Sequence, residues 1–364
     1  MIRILMCFGT RPEVIKLLPV IKKMEEHESF DLVLCNTGQH TDLVDTILCK
    51  FEIKPKYNLR VMRENQPLTT LTSSILNGVF NIIDNDHFDL VMVHGDTTTA
   101  YASALAAFYN KVPVAHVEAG LRTHDIYSPY PEEFNRQSIG IIAKYHFAPT
   151  QSNLKNISLN QEAKVVVTGN TAIDTLKYTI TDDFESELIQ NLKNKKIVLL
   201  TLHRRESYGE TLIEVLHAIQ EIATSQKELV FVFPMHPNPN IKNSVTKVLS
   251  NTPNILLINP LDVIEFHNVM ARSFMIITDS GGIQEEAPSL NVPVMVVRNK
   301  TERVEALNNG NIMLVGTNPK TIKAAFIKLV TDREFRDKMI SHNNPYGNGD
   351  ASDKILNYLQ KEFS

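Results

Sequence analysis

The stretch Val112–Arg136, VPVAHVEAGLRTHDIYSPYPEEFNR, decides how this chain is read. Val112–Val117 is short, apolar and β-branched, is entered through Pro113 and is closed by Gly120, which predicts a buried strand. Glu118 follows directly at the strand's carboxyl end, the edge at which open α/β sheets bind ligands. An irregular segment then carries Arg122, His124, Asp125, Glu132, Glu133 and Arg136. Taken singly, each of these charges is as readily a solvated loop residue as a functional group. Glu118 is different, because a carboxylate beside an apolar run needs a partner or a task.

Outward from that stretch, apolar runs alternate with amphipathic ones along the whole chain. Strands are expected at Ile2–Phe8, Leu32–Asn36, Leu90–His94, Val112–Val117, His146–Ala148 and Val165–Thr168. A second series is expected at Ile197–Leu202, Leu229–Phe233, Ile255–Ile258, Met275–Thr278, Val292–Val297 and Ile312–Val315. Helical patterns lie between them, including Pro12–Glu25, Thr98–Tyr109, Glu132–Ala143, Glu210–Ala223 and Gly282–Leu290. Such alternation predicts an α/β fold of two Rossmann-like, doubly wound domains with a cleft between them. The polar stretch Thr181–Lys195 lies between the two series, and a last helix is expected at Ala351–Lys361.

A chain of 364 residues suits two domains. With 43% hydrophobic and 21% charged residues it has the composition of an ordinary globular protein. No apolar run approaches the ~18 residues that span a bilayer, and the N-terminal run is too short for a signal peptide. Cys7, Cys35 and Cys49 are odd in number and never form CxxC, which predicts reduced thiols and a cytoplasmic protein. A net charge of −4 argues against nucleic acid as a partner. An anionic small substrate needs only a local collection of cations.

The loops supply such collections. Gly9-Thr10-Arg11-Pro12-Glu13 opens a helix, with Arg11 at its start and Lys16 one turn in, and a helix start with two cations suits a phosphate. A plain cap with surface charges explains that segment equally well. His94-Gly95-Asp96-Thr97 ends another strand, where Asp96 is either a helix cap or a functional acid. In the second half, Asp279-Ser280-Gly281-Gly282-Ile283-Gln284-Glu285-Glu286 joins a strand to a helix. Its small residues admit a diphosphate, and Glu286 one turn on can accept from ribose hydroxyls. Thr201-Leu202-His203-Arg204-Arg205-Glu206 puts a histidine and two arginines at another strand end. GxGxxG, a Walker A sequence, HExxH and zinc-spaced Cys/His clusters are all missing from the sequence. A dinucleotide cofactor and ATP hydrolysis are therefore not expected, and no zinc-spaced ligand set offers itself.

Together, the blocks Gly9–Glu13, Gly38-Gln39-His40, His94–Thr97, His116–Thr123, Pro131–Arg136, Thr201–Glu206 and Asp279–Pro288 closely resemble the non-hydrolysing UDP-N-acetylglucosamine 2-epimerases of bacteria. The resemblance runs in order through nearly the whole chain. It implies a GT-B-like architecture and a homodimer with no metal and no redox cofactor, with residues 1–168 as a first domain and 169–349 as a UDP-binding domain. Helix 350–364 would pack back on the first domain. The implied reaction interconverts UDP-GlcNAc and UDP-ManNAc, for surface polysaccharide synthesis, by eliminating UDP to a glycal and re-adding it.

The resemblance implies Asp96, Glu118 and Glu132 as catalytic carboxylates, Glu132 being carried over in preference to Glu133. His203 is implied at the diphosphate. Arg11, Lys16, Arg136, Ser280, Gly281, Gly282, Glu286 and Arg303 are implied in substrate binding. Many members read Thr-Thr-Glu-Arg-Pro-Glu where this chain has Lys300-Thr301-Glu302-Arg303-Val304-Glu305, with Asn299 in place of an Asp. An activator subsite would involve Gln39, His40 and His236. Asp42 and Asn65 replace the Gln and Arg that accompany it in some relatives, so that subsite is carried only in part. Two other readings fit the same motifs: a 2-epimerase for another UDP-2-acetamido sugar, such as a 6-deoxy-L-hexosamine, and a GT-B glycosyltransferase.

Overall fold

Two parallel sheets organise the chain in the computed structural model. It describes all residues except 41, 158–161, 204–208, 237 and 341–342, and leaves aside the side chains of Asp42 and Leu43. The first sheet contains β1 (Ile2–Phe8), β2 (Phe30–Asn36), β3 (Tyr57–Asn58), β4 (Leu90–His94), β5 (Val114–Val117), β6 (Tyr145–Ala148) and β7 (Lys164–Val167). Its order is β3-β2-β1-β4-β5-β6-β7. The second contains β8 (Lys196–Thr201), β9 (Leu229–Pro234), β10 (Ile255–Ile258), β11 (Met275–Thr278), β12 (Val294–Val296) and β13 (Ile312–Leu314), in the order β10-β9-β8-β11-β12-β13. All pairings are parallel. Both halves are thus the α/β units that the alternation predicts.

The helices of the first half are α1 (Arg11–Glu25), α2 (Asp42–Lys50), α3 (Leu68–Asn85), α4 (Thr98–Tyr109), α5 (Glu132–Ile142), α6 (Gln151–Lys155) and α7 (Thr171–Thr179). There follow α8 (Glu187–Leu192), α9 (Glu210–Ser225), α10 (Pro239–Leu249), α11 (Val263–Ala271), α12 (Gly281–Glu286), α13 (Val304–Asn308), α14 (Pro319–Thr331), α15 (Arg333–Ile340) and α16 (Ala351–Glu362). The sequence pattern names no element at several of these positions, β3, α6, α7 and α8 among them. β3 is too short to show alternation. α8 lies inside the polar stretch, where Ser186 caps it by accepting from Ile189 N (3.2 Å).

Unit 1 comprises Met1–Thr175 and Tyr346–Ser364, and unit 2 comprises Leu176–Pro345. Residues that follow β7 stay with unit 1, because Asn170 N donates to Tyr346 O (2.7 Å) and Thr175 Oγ1 donates to Ile15 O (2.8 Å). The last helix joins them. Asp174, fully buried, accepts from Ala351 N and Ser352 N (3.2 and 2.8 Å), so a carboxylate occupies the start of α16. The ring of Tyr358 meets Tyr145 and Phe147 edge-on at 6.3 and 6.1 Å.

The cores differ in kind. In unit 1 the small buried residues Ala100, Ala102, Ala104, Ala106 and Ala107 let α4 pack closely on the sheet. In unit 2 the aromatic rings Phe231, Phe233 and Phe326 fill the interior. Each fully buried aromatic or aliphatic side chain contributes ~1.5–3 kcal/mol.

Strand order fixes where ligands go. In each sheet the winding reverses beside the first strand, between β1 and β4 and between β8 and β11. Crevices open at the carboxyl ends of strands at such switch points. The loops there are Gly9–Glu13 and Gly95–Thr97 in unit 1, and Leu202–His203 and Asp279–Ser280 in unit 2. These are loops that the sequence singles out.

Candidate active site

At the unit 1 switch point the acids are held by buried polar groups. Gly95 takes φ +67°, a turn that favours glycine. Its carbonyl accepts from His116 Nε2 (2.7 Å), which fixes the protonated nitrogen of that ring. Burial pushes the His116 pKa down to about 3, so the ring is neutral. Asp96 follows. It does not cap α4: Thr97 does, accepting from Ala100 N (3.0 Å). Asp96 Oδ2 instead accepts from Arg136 Nε (2.7 Å), and its carbonyl accepts from Asn135 Nδ2 (2.8 Å).

One strand over, Glu118 follows β5 directly at φ +64°, a strained conformation for a residue with a side chain. Its Oε2 accepts from Lys16 Nζ and from Asn170 Nδ2 (3.1 Å), with His94 Nε2 at 3.9 Å. Burial pushes His94 down to about 4, with the neighbouring Glu118 charge opposing and Lys16 reinforcing the shift. A side chain on Gly95 would meet Glu118 Oε1 at 3.8 Å, so the carboxylate lies over the turn that carries Asp96.

The first turn of α5 separates Glu132 from Glu133. Glu133 is buried and accepts from Thr123 N (3.0 Å), His124 N (3.3 Å), Arg136 Nη1 (3.2 Å) and Gln137 Nε2 (3.0 Å). These donors outweigh burial and hold its pKa below the ordinary value. It anchors the loop. Glu132 Oε2 is buried and has no hydrogen-bond partner among the described residues. A buried carboxylate oxygen without a donor is costly to maintain.

Arg136 joins Asp96 to Glu133 (Nη2–Asp96 Oδ2 2.6 Å; Nη1–Glu133 Oε2 3.2 Å). Lys16, expected at the substrate's phosphates, is paired with Glu118. Arg11 is exposed at the start of α1. Glu13 is the residue of that loop which the motif alone undervalues. Buried, it accepts from Gly9 N (3.1 Å), Thr10 N (2.8 Å), Thr10 Oγ1 (2.8 Å) and Thr97 Oγ1 (2.7 Å), tying the β1 loop to the β4 loop. Burial raises its pKa to about 7 against those donors.

Unit 2 is built differently. The fully buried Asp279 accepts from His203 N (2.9 Å) and lies 3.1 Å from His203 Nδ1, which orients a ring that is 38% exposed. His236 stacks on that ring at 5.7 Å and 9°. Ser280 N donates to Thr278 Oγ1 (2.9 Å) and Ser280 O accepts from Gln284 Nε2 (2.9 Å). Gln284 Oε1 in turn accepts from Thr301 Oγ1 (2.6 Å). Arg303 donates to buried Glu285 through Nε (2.8 Å) and Nη2 (2.7 Å). Its guanidinium covers Gly281, where a Cβ would stand 2.9 Å from Arg303 Cζ. Gly281 is therefore small to admit that arginine, whatever else it admits. Glu286 faces Gly282 and lies 3.7 Å from the buried His267. Arg204, Arg205 and Glu206 lie outside the described residues.

The profile of the UDP-N-acetylglucosamine 2-epimerase family matches residues 22–360. A Campylobacter jejuni protein named UDP-N-acetylglucosamine 2-epimerase is 45% identical, covering 99% of this chain and 97% of its own length. The Escherichia coli K12 protein of that name is 42% identical, with 98% of each covered. The solved Neisseria meningitidis UDP-GlcNAc 2-epimerase bound to UDP-GlcNAc is 41% identical with a TM-score of 0.90, covering 99% of this chain and all of its own. The chain belongs to the UDP-N-acetylglucosamine 2-epimerase family. It is an isomerase on that ground. Acinetobacter baumannii MurG, at 14% identity and a TM-score of 0.64 over 99% of this chain and all of its own, shares the GT-B-like fold alone.

Within this family member, unit 1 gathers Asp96, Glu118, Glu132, Arg136 and Lys16, while unit 2 gathers His203, Ser280, Gly281, Gly282, Glu286 and Arg303. The activator candidates divide likewise. Gln39 Oε1 accepts from Thr99 N and Oγ1 (3.2 and 2.9 Å), and His40 N donates to Gly9 O (2.7 Å), both in unit 1. The pKa of His40 is lowered, by desolvation and then by the Arg11 charge. His236 belongs to unit 2. The sequence reading does not single out Asn170, which touches Glu118. The one available signal was a polar residue behind Gly169 at a strand's carboxyl end.

Proposed function

We propose that this chain interconverts UDP-GlcNAc and UDP-ManNAc by eliminating UDP to a glycal and re-adding it. What carries the reading is the pair of acids, Asp96 and Glu118, at the carboxyl ends of adjacent strands, with Glu132 short of a donor. The substrate class rests on relatives named for it and solved with UDP-GlcNAc, and on the Staphylococcus aureus protein MnaA solved with UDP (43% identical, TM-score 0.90, covering all of this chain and 97% of its own).

The chemistry calls for such groups. The C2 proton of an N-acetylhexosamine is not adjacent to a carbonyl, so it becomes acidic only as the C1–O bond breaks. The developing positive charge at C1 then needs anions beside it, and C2 needs an acid and a base on opposite faces. Asp96, Glu118 and Glu132 supply these roles. On the leaving side, His203, oriented by Asp279, meets the diphosphate. Arg11, Ser280, Gly281, Gly282 and Arg303 hold the nucleotide, with Glu286 on the ribose. The product feeds surface polysaccharide synthesis in the cytoplasm. Among the described residues no helix is long and apolar enough to cross a membrane.

The enzyme works as a homodimer through the helices of unit 1, where Phe108 and Tyr109 end α4 and Ile141 remains 75% exposed on α5. Sedimentation equilibrium on Ile141→Glu should return a monomer, and an unchanged mass would reject that face. NMR of UDP-GlcNAc with the enzyme in D₂O tests the reaction. Deuterium should enter C2 as UDP-ManNAc signals rise. Exchange only with another UDP-2-acetamido sugar would move the substrate, and no exchange with any would overturn the reading.

A further inference from the structure

Asn170 has every polar group of its backbone N–H and side chain engaged, and it is buried at 3% exposure. Its Oδ1 accepts from Ala172 N (2.9 Å) and its Nδ2 donates to Glu118 Oε2 (3.1 Å). The orientation of this amide is dictated by its neighbours. A flip would set Oδ1 against the carboxylate and NH₂ against a backbone N–H, losing both bonds. Its own N–H donates to Tyr346 O (2.7 Å), where the chain re-enters unit 1. The backbone there has no slack. Gly169 (φ +92°) would place a Cβ 2.9 Å from Tyr346 O, and a Cβ on Gly347 (φ +105°) would lie 3.3 Å from Gly169 Cα. Both segments that connect unit 1 to the rest of the chain are thus pressed together at one point, and one amide runs from that point to Glu118.

We propose that Asn170 is a positioning residue that aims the Glu118 carboxylate and keeps it ionised. The inference rests on the reading of Glu118 as catalytic. Among the described residues, Lys16 from α1, His94 from β4 and Asn170 from the turn before α7 face Glu118. His94 is neutral above about pH 5, since burial holds it down. Lys16 supplies charge through a flexible stem, whereas Asn170 supplies direction from rigid backbone. With Oε2 occupied by both, Oε1 is directed over Gly95.

The test is the pH profile of epimerisation in Asn170→Asp and Asn170→Ala beside the parent enzyme. Asn170→Asp keeps the Ala172 bond and sets a second carboxylate against Glu118. Its kcat should fall by about 10²-fold, and the acid limb of kcat should move up by about one pH unit. Asn170→Ala should move the limb the same way by less. UDP affinity should stay within about twofold in both. A structural role alone would lower thermal stability and leave the limb in place, and that outcome overturns the proposal. Should Asn170→Asp not fold, Asn170→Ser carries the same measurement. Glu118→Gln separates the two ideas. If it retains turnover, the reading of Glu118 is wrong. If it is inactive while the limb in Asn170→Asp stays put, only this inference fails.

Discussion

The two switch points of this chain share a topology and differ in what surrounds them. In unit 1 the interior beneath the loops is polar. Glu13, His94, His116, Glu133, Asn135, His146 and Asn170 are all buried there. Unit 2 buries polar groups too, Thr278, Asp279, Gln284 and Glu285 among them, but its buried histidine His267 stands against three in unit 1, and its sheet packs on the aromatic rings Phe231, Phe233 and Phe326. An acid that must change its charge during turnover needs neighbours that fix its oxygens and its proton. A group that only grips a phosphate needs a firm backbone and one cation. The same fold serves both, through what lies under the loop.

The comparison breaks most sharply on the acids. Glu118→Gln should lower kcat by at least ~10²-fold, the ordinary scale for a general acid or base, with UDP affinity by calorimetry unchanged within about twofold. A variant that lost UDP instead would put Glu118 among the nucleotide groups. The two arginines make a finer test. Arg136→Met removes the Arg136 bonds to Asp96 and one of the four donors of Glu133, and should lower kcat by about 10²-fold. Arg303→Met should weaken UDP binding by about tenfold, or ~1.4 kcal/mol, with kcat within about threefold. The reverse pattern would merge what the comparison separates.

The smallest effect is on acid stability. Burial lowers His94 and His146 to about 4 and His116 to about 3. The ordinary value is near 6.5, so their contribution is complete above pH 6.5 and is lost as pH falls through the folded values. Glu13, raised to about 7, works oppositely. Its contribution is present below about 4.5 and is lost as pH rises through 7. Three groups against one leave unit 1 losing stability on acidification. In unit 2, burial lowers the pKa of His267 to about 4. Hydrogen exchange between pH 6.5 and 4.5, corrected for intrinsic rates, should therefore deprotect β4–β6 more than β8, β11 and β12. Equal deprotection would show that the buried histidines do not distinguish the units.

Much of this was legible in one dimension. Val114–Val117 is legible as a strand because parallel strands buried on both faces are nearly continuous apolar runs, His116 being the exception here, and the loops that follow such strands are polar. The division of labour among the loop residues was not legible. Glu132 and Glu133 are adjacent and chemically alike, and only the loop that folds back through Thr123 and His124 commits one of them to structure. Lys16 looked like a phosphate ligand beside Arg11, yet the strand order brings it to Glu118, far away in sequence. Asp96 had two readings until Thr97 took the cap.

What the sequence determined by itself was the period of its elements, the parallel α/β class and the blocks that mark the family. Those follow from local patterning, since apolar spacing dictates strand or helix wherever the chain goes. Tertiary structure alone decided which polar atom meets which. Hydrogen bonds such as Asn170 to Glu118 join residues that share no local pattern, and they exist because crossover connections bring distant strand ends to one edge of a sheet.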